Sequence, residues 1–405
     1  MDSVIYFDNN ATTRLAPEAL EAMKPYLTEL YGNPSSIHGF GSQVARKIQQ
    51  AREQVAGLLG AADPVEIIFT SCGTEGDNAA VRGILDSQPD KRHIVTTQVE
   101  HPAVLSLCQH LEKKGYRLTW LRVDGNGMLD LDELKDSLAD DTALVSIMYA
   151  NNETGVIFPI EAIGKIVKAR GIPFHVDAVQ AAGKVPLNLK QTPVDLLTIS
   201  AHKFHGPKGV GALYARRGIT FRPFLIGGHQ ERGRRGGTEN VAGIVGMGKA
   251  AELAVKNLLE DERRVRALRD QLEKSLLESC PDSHVNGDRR DRLPNTLNMS
   301  FKFLEGEAIL VLLDQDGICA STGSACTAGS AEPSHVLRAM GVPPDWLQGA
   351  VRFSLSRYTT ENEVQSVNQK VPSIVQRLSG LSALGKLANQ EPKRGDYSDR
   401  VGARR

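Results

Sequence analysis

Between residues 60 and 215 short β-rich apolar runs alternate with stretches of helical periodicity, and no other feature of the chain narrows its fold so far. Helical crossovers between strands put helices over the faces of a sheet, so the pattern predicts an α/β fold with a parallel or mostly parallel sheet. Seven strands are expected, at 66–70, 93–97, 118–123, 144–149, 174–176, 196–200 and 210–214. Polar residues crowd just beyond their ends: Ser71-Cys72-Gly73-Thr74-Glu75, Glu100-His101, Asn151-Asn152-Glu153, Asp177-Ala178-Val179-Gln180 and Ser200-Ala201-His202-Lys203. Ligands of open α/β sheets sit outside the carboxyl ends of the strands, so these clusters point to one shared site.

A long helical stretch over 243–278 reads as a bridge, and beyond it strands at 296–301, 318–320 and 351–356 interleave with helices at 305–313, 333–340 and 360–378. The expected division is a large domain over 15–260 and a smaller α+β domain built from 1–14 and 261–380. Residues 381–405 lose apolar periodicity and read as a flexible tail. Forty-eight basic residues balance forty-eight acidic ones, which leaves no global field to recruit nucleic acid or an anionic membrane. Five cysteines without a C-x-x-C pair argue against a disulfide framework or structural zinc, and for a reducing, cytoplasmic compartment. No stretch reaches the eighteen or so apolar residues of a membrane span, and no targeting segment is evident.

Several residues suggest chemistry. Lys203 follows an apolar strand and precedes a glycine-rich turn; a lysine so held can form a Schiff base with an aldehyde cofactor, although an isolated lysine near glycines is ordinarily a surface residue. Asp177 lies twenty-six residues upstream at a strand end, where a carboxylate can keep a pyridine nitrogen protonated, or equally cap a helix. Thr70 to Glu75 join a strand to a helix, which suits an anion at the helix start and equally an ordinary capping box. His101 stands where it can stack on a cofactor or pass protons, or simply precede a helix-starting Pro102. Cys326 sits in a run of small polar residues, 320–330, a poor packing element but a good nucleophile; an incidental surface thiol is the alternative. Cys72, Cys108, Cys280 and Cys319 read as inert. Arg352, on a strand of the smaller domain, can hold a carboxylate with its fork. The segment 227–240 is glycine-rich and basic, suited to an anion and equally to a solvated loop.

In this order and spacing the segments resemble the cysteine desulfurases, a class-V branch of the aminotransferase-like (fold type I) pyridoxal-phosphate enzymes. The resemblance runs from Phe7-Asp8-Asn9-Asn10-Ala11-Thr12-Thr13 through Gly32-Asn33-Pro34-Ser35-Ser36 to Arg352, about nine-tenths of the chain. Tyr149 to Gly155, Arg234 to Asn240 and Gly323-Ser324-Ala325-Cys326-Thr327 look most like the nitrogen-fixation type, with the housekeeping iron–sulfur assembly type next. The resemblance implies pyridoxal 5'-phosphate on Lys203, Asp177 at its ring nitrogen, Gln180 at its phenolic oxygen and His101 against the ring. Gly73, Thr74, Ser200 and His202 would hold the phosphate, and Thr238 would reach it from the neighbouring subunit of a homodimer. Asn152 and Arg352 would bind L-cysteine, and Cys326 would take its sulfur as a persulfide for an iron–sulfur scaffold protein, with which it would share a transient cluster as a metal ligand. An aminotransferase or β-lyase would keep Lys203 and Asp177 but leave Cys326 unexplained, and a silent sulfur-transfer subunit would bind no cofactor.

Overall fold

A computed structural model describes residues 4–322 and 333–381. Its strands are β1 (Ile5–Tyr6), β2 (Ile67–Thr70), β3 (His93–Thr97), β4 (Arg117–Leu121), β5 (Thr142–Met148), β6 (Phe174–Asp177), β7 (Leu196–Ser200), β8 (Gly211–Ala215), β9 (Ser283–Val285), β10 (Thr296–Phe301), β11 (Ile318–Cys319) and β12 (Ala350–Ser354). The main sheet has seven strands in the order β2-β8-β7-β6-β5-β3-β4. All pair in parallel except β8, which runs antiparallel to both β2 and β7. Strands β5, β6 and β7 are buried along their whole length, as strands covered on both faces must be, which is why they read as continuous apolar runs rather than alternating ones.

The reversal of β8 positions the site. Because β8 opposes both neighbours, β2 and β7 point the same way, and Gly211 pairs with Thr70 on one side and Ser200 on the other. A side chain at Gly211 would come within 2.8 Å of the Ile199 carbonyl and 2.9 Å of the Cys72 backbone, so glycine is what lets these three segments close up. The segments that follow β2, β3, β5, β6 and β7 therefore leave the sheet at one edge.

The long helix, Val241–Ser279, extends about 58 Å at the usual rise. Its first half, through Ile244, Met247, Ala250, Ala251 and Ala254, packs into the core beneath the main sheet. Its second half, through Val265, Leu268, Leu272 and Leu276, enters a separate core with Phe7, Met299, Phe353 and Val367. That second core lies about the antiparallel sheet β12-β10-β9 and the parallel pair β1-β11, so the chain's first strand joins elements from its last third.

Expected strand and helix positions hold to within a few residues, but several elements were not foreseen, among them the helices Pro17–Met23 and Gly39–Leu59. Strands β1 and β9 have no counterpart in the sequence reading because two or three residues carry no readable alternation. The helix expected at 333–340 is shorter, His335–Ala339, with Ser334 as its cap. Cys326, Thr327 and residues 382–405 lie outside the described residues. Among the described residues no helix is long and apolar enough to cross a membrane.

Candidate active site

Lys203 closes a single turn, Ala201–Lys203, directly after β7. Its Nζ donates to the carbonyls of Asn10 at 2.6 Å and Ala11 at 2.9 Å. Asp177 ends β6; its Oδ1 accepts from the Val179 N–H at 2.9 Å, a local turn rather than a helix cap. Burial raises the Asp177 carboxyl to about 6, against the opposing pull of that N–H and of the Lys203 charge. A cation placed against it would hold it ionised.

His101 caps the helix Pro102–Glu112, its Nδ1 accepting from the Ala103 N–H at 3.1 Å. With Nδ1 engaged, a neutral ring carries its proton on Nε2. Burial, assisted by the charges of Lys203 and His335, lowers this histidine to about 4, so it is neutral at physiological pH. The helix-capping reading of His101 therefore holds, and the cap does not engage its Nε2–H.

The helix Gly73–Ser87 begins with no side chain capping it. Thr70 Oγ1 instead donates to the Cys72 carbonyl at 3.0 Å, and Glu75 reaches back to the Ser71 N–H at 2.8 Å, clamped in turn by Arg235 at 2.8 and 3.1 Å. The expected capping box is only half formed, and the helix start keeps its N–H groups for an anion. A side chain at Gly73 would meet Val179 Cγ2 at 2.8 Å. Beside it the buried Ser200 Oγ has no hydrogen-bond partner among the described residues. His202 bonds Thr12 Oγ1 through Nδ1 at 3.1 Å and is lowered to about 4, by burial first and the neighbouring lysines second. Thr74 is exposed at the helix start, and Thr238 is exposed farther out, where it lines a cavity of about 90 Å³ with Thr70, Ser71 and Arg235.

An unpartnered buried hydroxyl, an uncapped helix start with glycine at its head, a lysine and a buried carboxylate form the donor set that pyridoxal phosphate needs. Gly73, Thr74, Ser200 and His202 would hold its phosphate, Asp177 its ring nitrogen and Lys203 its aldehyde carbon, with Gln180 and His101 beside the ring.

Arg352, expected to bind the substrate and 2 % exposed on β12, holds an internal carboxylate. Its Nη2 lies 2.7 Å from Asp8 Oδ1, and its Nη1 donates to the Asn152 carbonyl at 2.9 Å. Sequence reasoning placed Arg352 and Asn152 together without foreseeing Asp8 or that the contact would be to the Asn152 main chain. It also assigned no part to Asn10, whose carbonyl accepts from both Lys203 and Gln180 while its Oδ1 accepts from Lys184 and Asn295. The only signal for Asn10 was its place in the 7–13 motif.

The flanks of the Cys326 segment are fastened at this site. Ser321 exchanges main-chain hydrogen bonds with Arg352 at 3.2 and 2.6 Å. On the other side Ser334 Oγ donates to buried Glu153 at 2.5 Å, and His335 Nε2 lies 3.0 Å from the Glu100 carbonyl. The remaining cysteines divide: Cys108 and Cys280 are buried, their thiols pushed up by burial to about 12 and about 11. Cys72 and Cys319 are half-buried, so the inert, fully enclosed surroundings expected for all four hold for two.

A main sheet of this order, with a lysine and a buried carboxylate at the carboxyl ends of adjacent strands, defines an α/β enzyme of the aminotransferase-like, pyridoxal-phosphate class. The aminotransferase class-V family matches residues 5–367. A cysteine desulfurase of Trichormus azollae is 64 % identical over 94 % of this chain and 95 % of its own. The cysteine desulfurase NifS of Azotobacter vinelandii is 54 % identical over 93 % and 94 %. A solved structure described as a NifS-like protein superposes with a TM-score of 0.87 at 43 % identity, over 93 % of this chain and all of that one. The chain belongs to the class-V aminotransferase family, in its cysteine desulfurase branch.

Proposed function

We propose that this protein converts L-cysteine to L-alanine and passes the sulfur to Cys326 as a persulfide, for iron–sulfur cluster assembly and that of nitrogenase in particular. The observation that carries the reading is convergence. Lys203 and Asp177 meet at one edge of the sheet, and both flanks of the Cys326 segment are tied to Arg352, Glu100 and Glu153 at that same edge.

Pyridoxal phosphate, when bound, supplies the electron sink that makes the substrate Cα proton acidic and the Cβ–S bond labile. Lys203, which would hold the cofactor's aldehyde carbon, is the group that would move the proton at Cα. Its two carbonyl partners, Asn10 and Ala11, accept hydrogen bonds from an amine without neutralising it. Asp177 would stand ionised against the ring nitrogen and so keep that sink effective. Arg352 binds the substrate carboxylate, exchanging Asp8 for it, with Asn152 fixing the other arm of its fork. The Cys326 thiolate attacks the substrate sulfur, the Cβ–S bond breaks with its electron pair moving to carbon, and a proton replaces sulfur there. L-Cysteine and the Cys326 thiol thus become L-alanine and the Cys326 persulfide, with no external oxidant.

The same reading makes the active form a homodimer in which the exposed Thr238 reaches the phosphate of the neighbouring subunit, and makes an iron–sulfur scaffold protein the cytoplasmic sulfur acceptor, with Cys326 able to share a cluster with it. It divides the chain at the middle of the long helix, 15–260 against 1–14 and 261–380, which the two cores support along that helix, while Leu293, Val336, Leu337, Met340 and Ala350 pack with the main-sheet core.

The test is anaerobic turnover of L-cysteine by the purified protein and Cys326→Ala, following alanine and sulfide with a thiol reductant, beside the visible spectrum. The expected result is both products from the native protein, and an intact visible band without desulfuration in the variant. Normal turnover by Cys326→Ala would remove the persulfide route and leave a lyase.

A further inference from the structure

A second lysine stands in the site and has no part in the chemistry above. Lys184 lies in the turn that follows β6, and its Nζ donates to Gln180 Oε1 at 2.7 Å and to Asn10 Oδ1 at 3.0 Å. Gln180, 6 % exposed, gives one N–H of its Nε2 to the Asn10 carbonyl at 3.0 Å. A peptide carbonyl can only accept, so the Asn10 contact puts the Gln180 amide nitrogen on its side and leaves the oxygen to Lys184 Nζ, which donates to it. With the oxygen committed to Lys184 and one N–H to Asn10, the second N–H is the group Gln180 has left to offer a ligand.

We infer that Lys184 is a positioning residue that locks the Gln180 amide with its nitrogen toward the cofactor, so that Gln180 acts as a donor to the cofactor's phenolic oxygen. The inference rests on the functional reading above, since it takes that oxygen as Gln180's ligand. Without Lys184 the amide is held in this sense by the Asn10 carbonyl alone, an acceptor it shares with Lys203, and its oxygen loses its donor. A turned amide would set a carbonyl against an oxygen that carries negative charge.

Apart from the charge of Lys184 itself, which Lys184→Arg keeps, the surrounding charges are the same with and without the lock. Lys203 and Arg352 face Lys184 and, after burial itself, lower its affinity for a proton. His202 and His205 flank it and are neutral, each lowered to about 4 with burial as the first cause. Asp177 stands across Lys203, and Asp261 and Glu262 of the long helix, with Arg357, line the cavity on the other side of Lys184. Loss of the donor from the phenolic oxygen makes the lysine-bound chromophore hold its proton more tightly, so its colour change moves to higher pH.

The experiment is a pH titration of the visible absorbance of the cofactor-loaded protein, for the native chain, Lys184→Met, Lys184→Arg, Gln180→Ala and the double variant K184M/Q180A. Lys184→Met is expected to raise the midpoint by about one pH unit, a tenfold change in proton affinity. Lys184→Arg, which keeps donors in place, is expected to stay near the native midpoint. In the double variant K184M is expected to add almost nothing to the shift caused by Q180A, because it acts through that residue. An unchanged midpoint in a cofactor-loaded K184M protein overturns the inference, and so do shifts from K184M and Q180A that add in full. A native chain with no visible band overturns the functional reading and this inference with it, whereas a normal band indifferent to K184M overturns only the role of Lys184.

Discussion

Replacing Glu100 by Gln should stabilise the protein at neutral and alkaline pH, although the site lies next to it. Glu100 is fully buried; its Oε1 accepts from Thr97 Oγ1 at 2.7 Å and from the Met148 N–H at 3.1 Å, while Oε2 has no partner. Burial raises its carboxyl from 4.5 to about 8, more than the two hydrogen bonds lower it. Between those values the folded chain holds a proton that the unfolded chain has released, so stability falls as pH rises through this window and levels off above about 8. At about 1.4 kcal/mol per unit the cost is on the order of 3 kcal/mol at pH 7 and about 5 kcal/mol once the folded-state carboxyl is itself ionised, above about pH 8. A glutamine keeps an acceptor for Thr97 and Met148, carries no proton to lose, and leaves the Glu100 main-chain contact to His335 untouched. Urea unfolding at pH 4.5, 7 and 8.5 with cofactor saturating should show Glu100→Gln and native protein nearly equal at the lowest pH, with the variant's advantage growing to the highest. A difference that is constant across pH, or that shrinks as pH rises, would refute the reasoning.

Asp177→Asn should still bind the cofactor but lose at least about a hundredfold in kcat for L-cysteine, read from alanine release beside the visible band; near-native kcat would mean the carboxylate is not at the ring nitrogen. Arg352→Lys cannot reach both Asp8 and the Asn152 carbonyl, so KM for L-cysteine should rise roughly tenfold with a smaller change in kcat. Gly73→Ala forces a methyl against Val179 Cγ2, at 2.8 Å; cofactor affinity measured by equilibrium dialysis should fall about tenfold or more, from steric displacement at the helix start.

The residues gathered at the candidate site were legible because they lie in short segments. A strand followed at once by Lys203, a strand ending in Asp177 and a strand-to-helix passage through Gly73 are local patterns, and local periodicity had only to bring their ends to one side of a sheet. The buried run of β5 and the long apolar periodicity of 241–279 were readable for the same reason. What the sequence by itself determined, then, is the class of fold, the edge where the site lies and most of the groups that face it.

Only the tertiary structure decided how those groups are held. Asn10 lies 193 residues from Lys203 and 170 from Gln180, yet bonds both, and no periodicity relates positions so far apart. Asp8 meets Arg352 because a two-residue strand pairs with β11 and carries the N-terminus across to the second core. The reversed β8 brings Thr70 and Ser200 level through Gly211. Such contacts depend on which strand pairs with which, and that is fixed by how whole faces pack and by the satisfaction of buried polar groups, properties of the assembled chain and not of any one stretch of it.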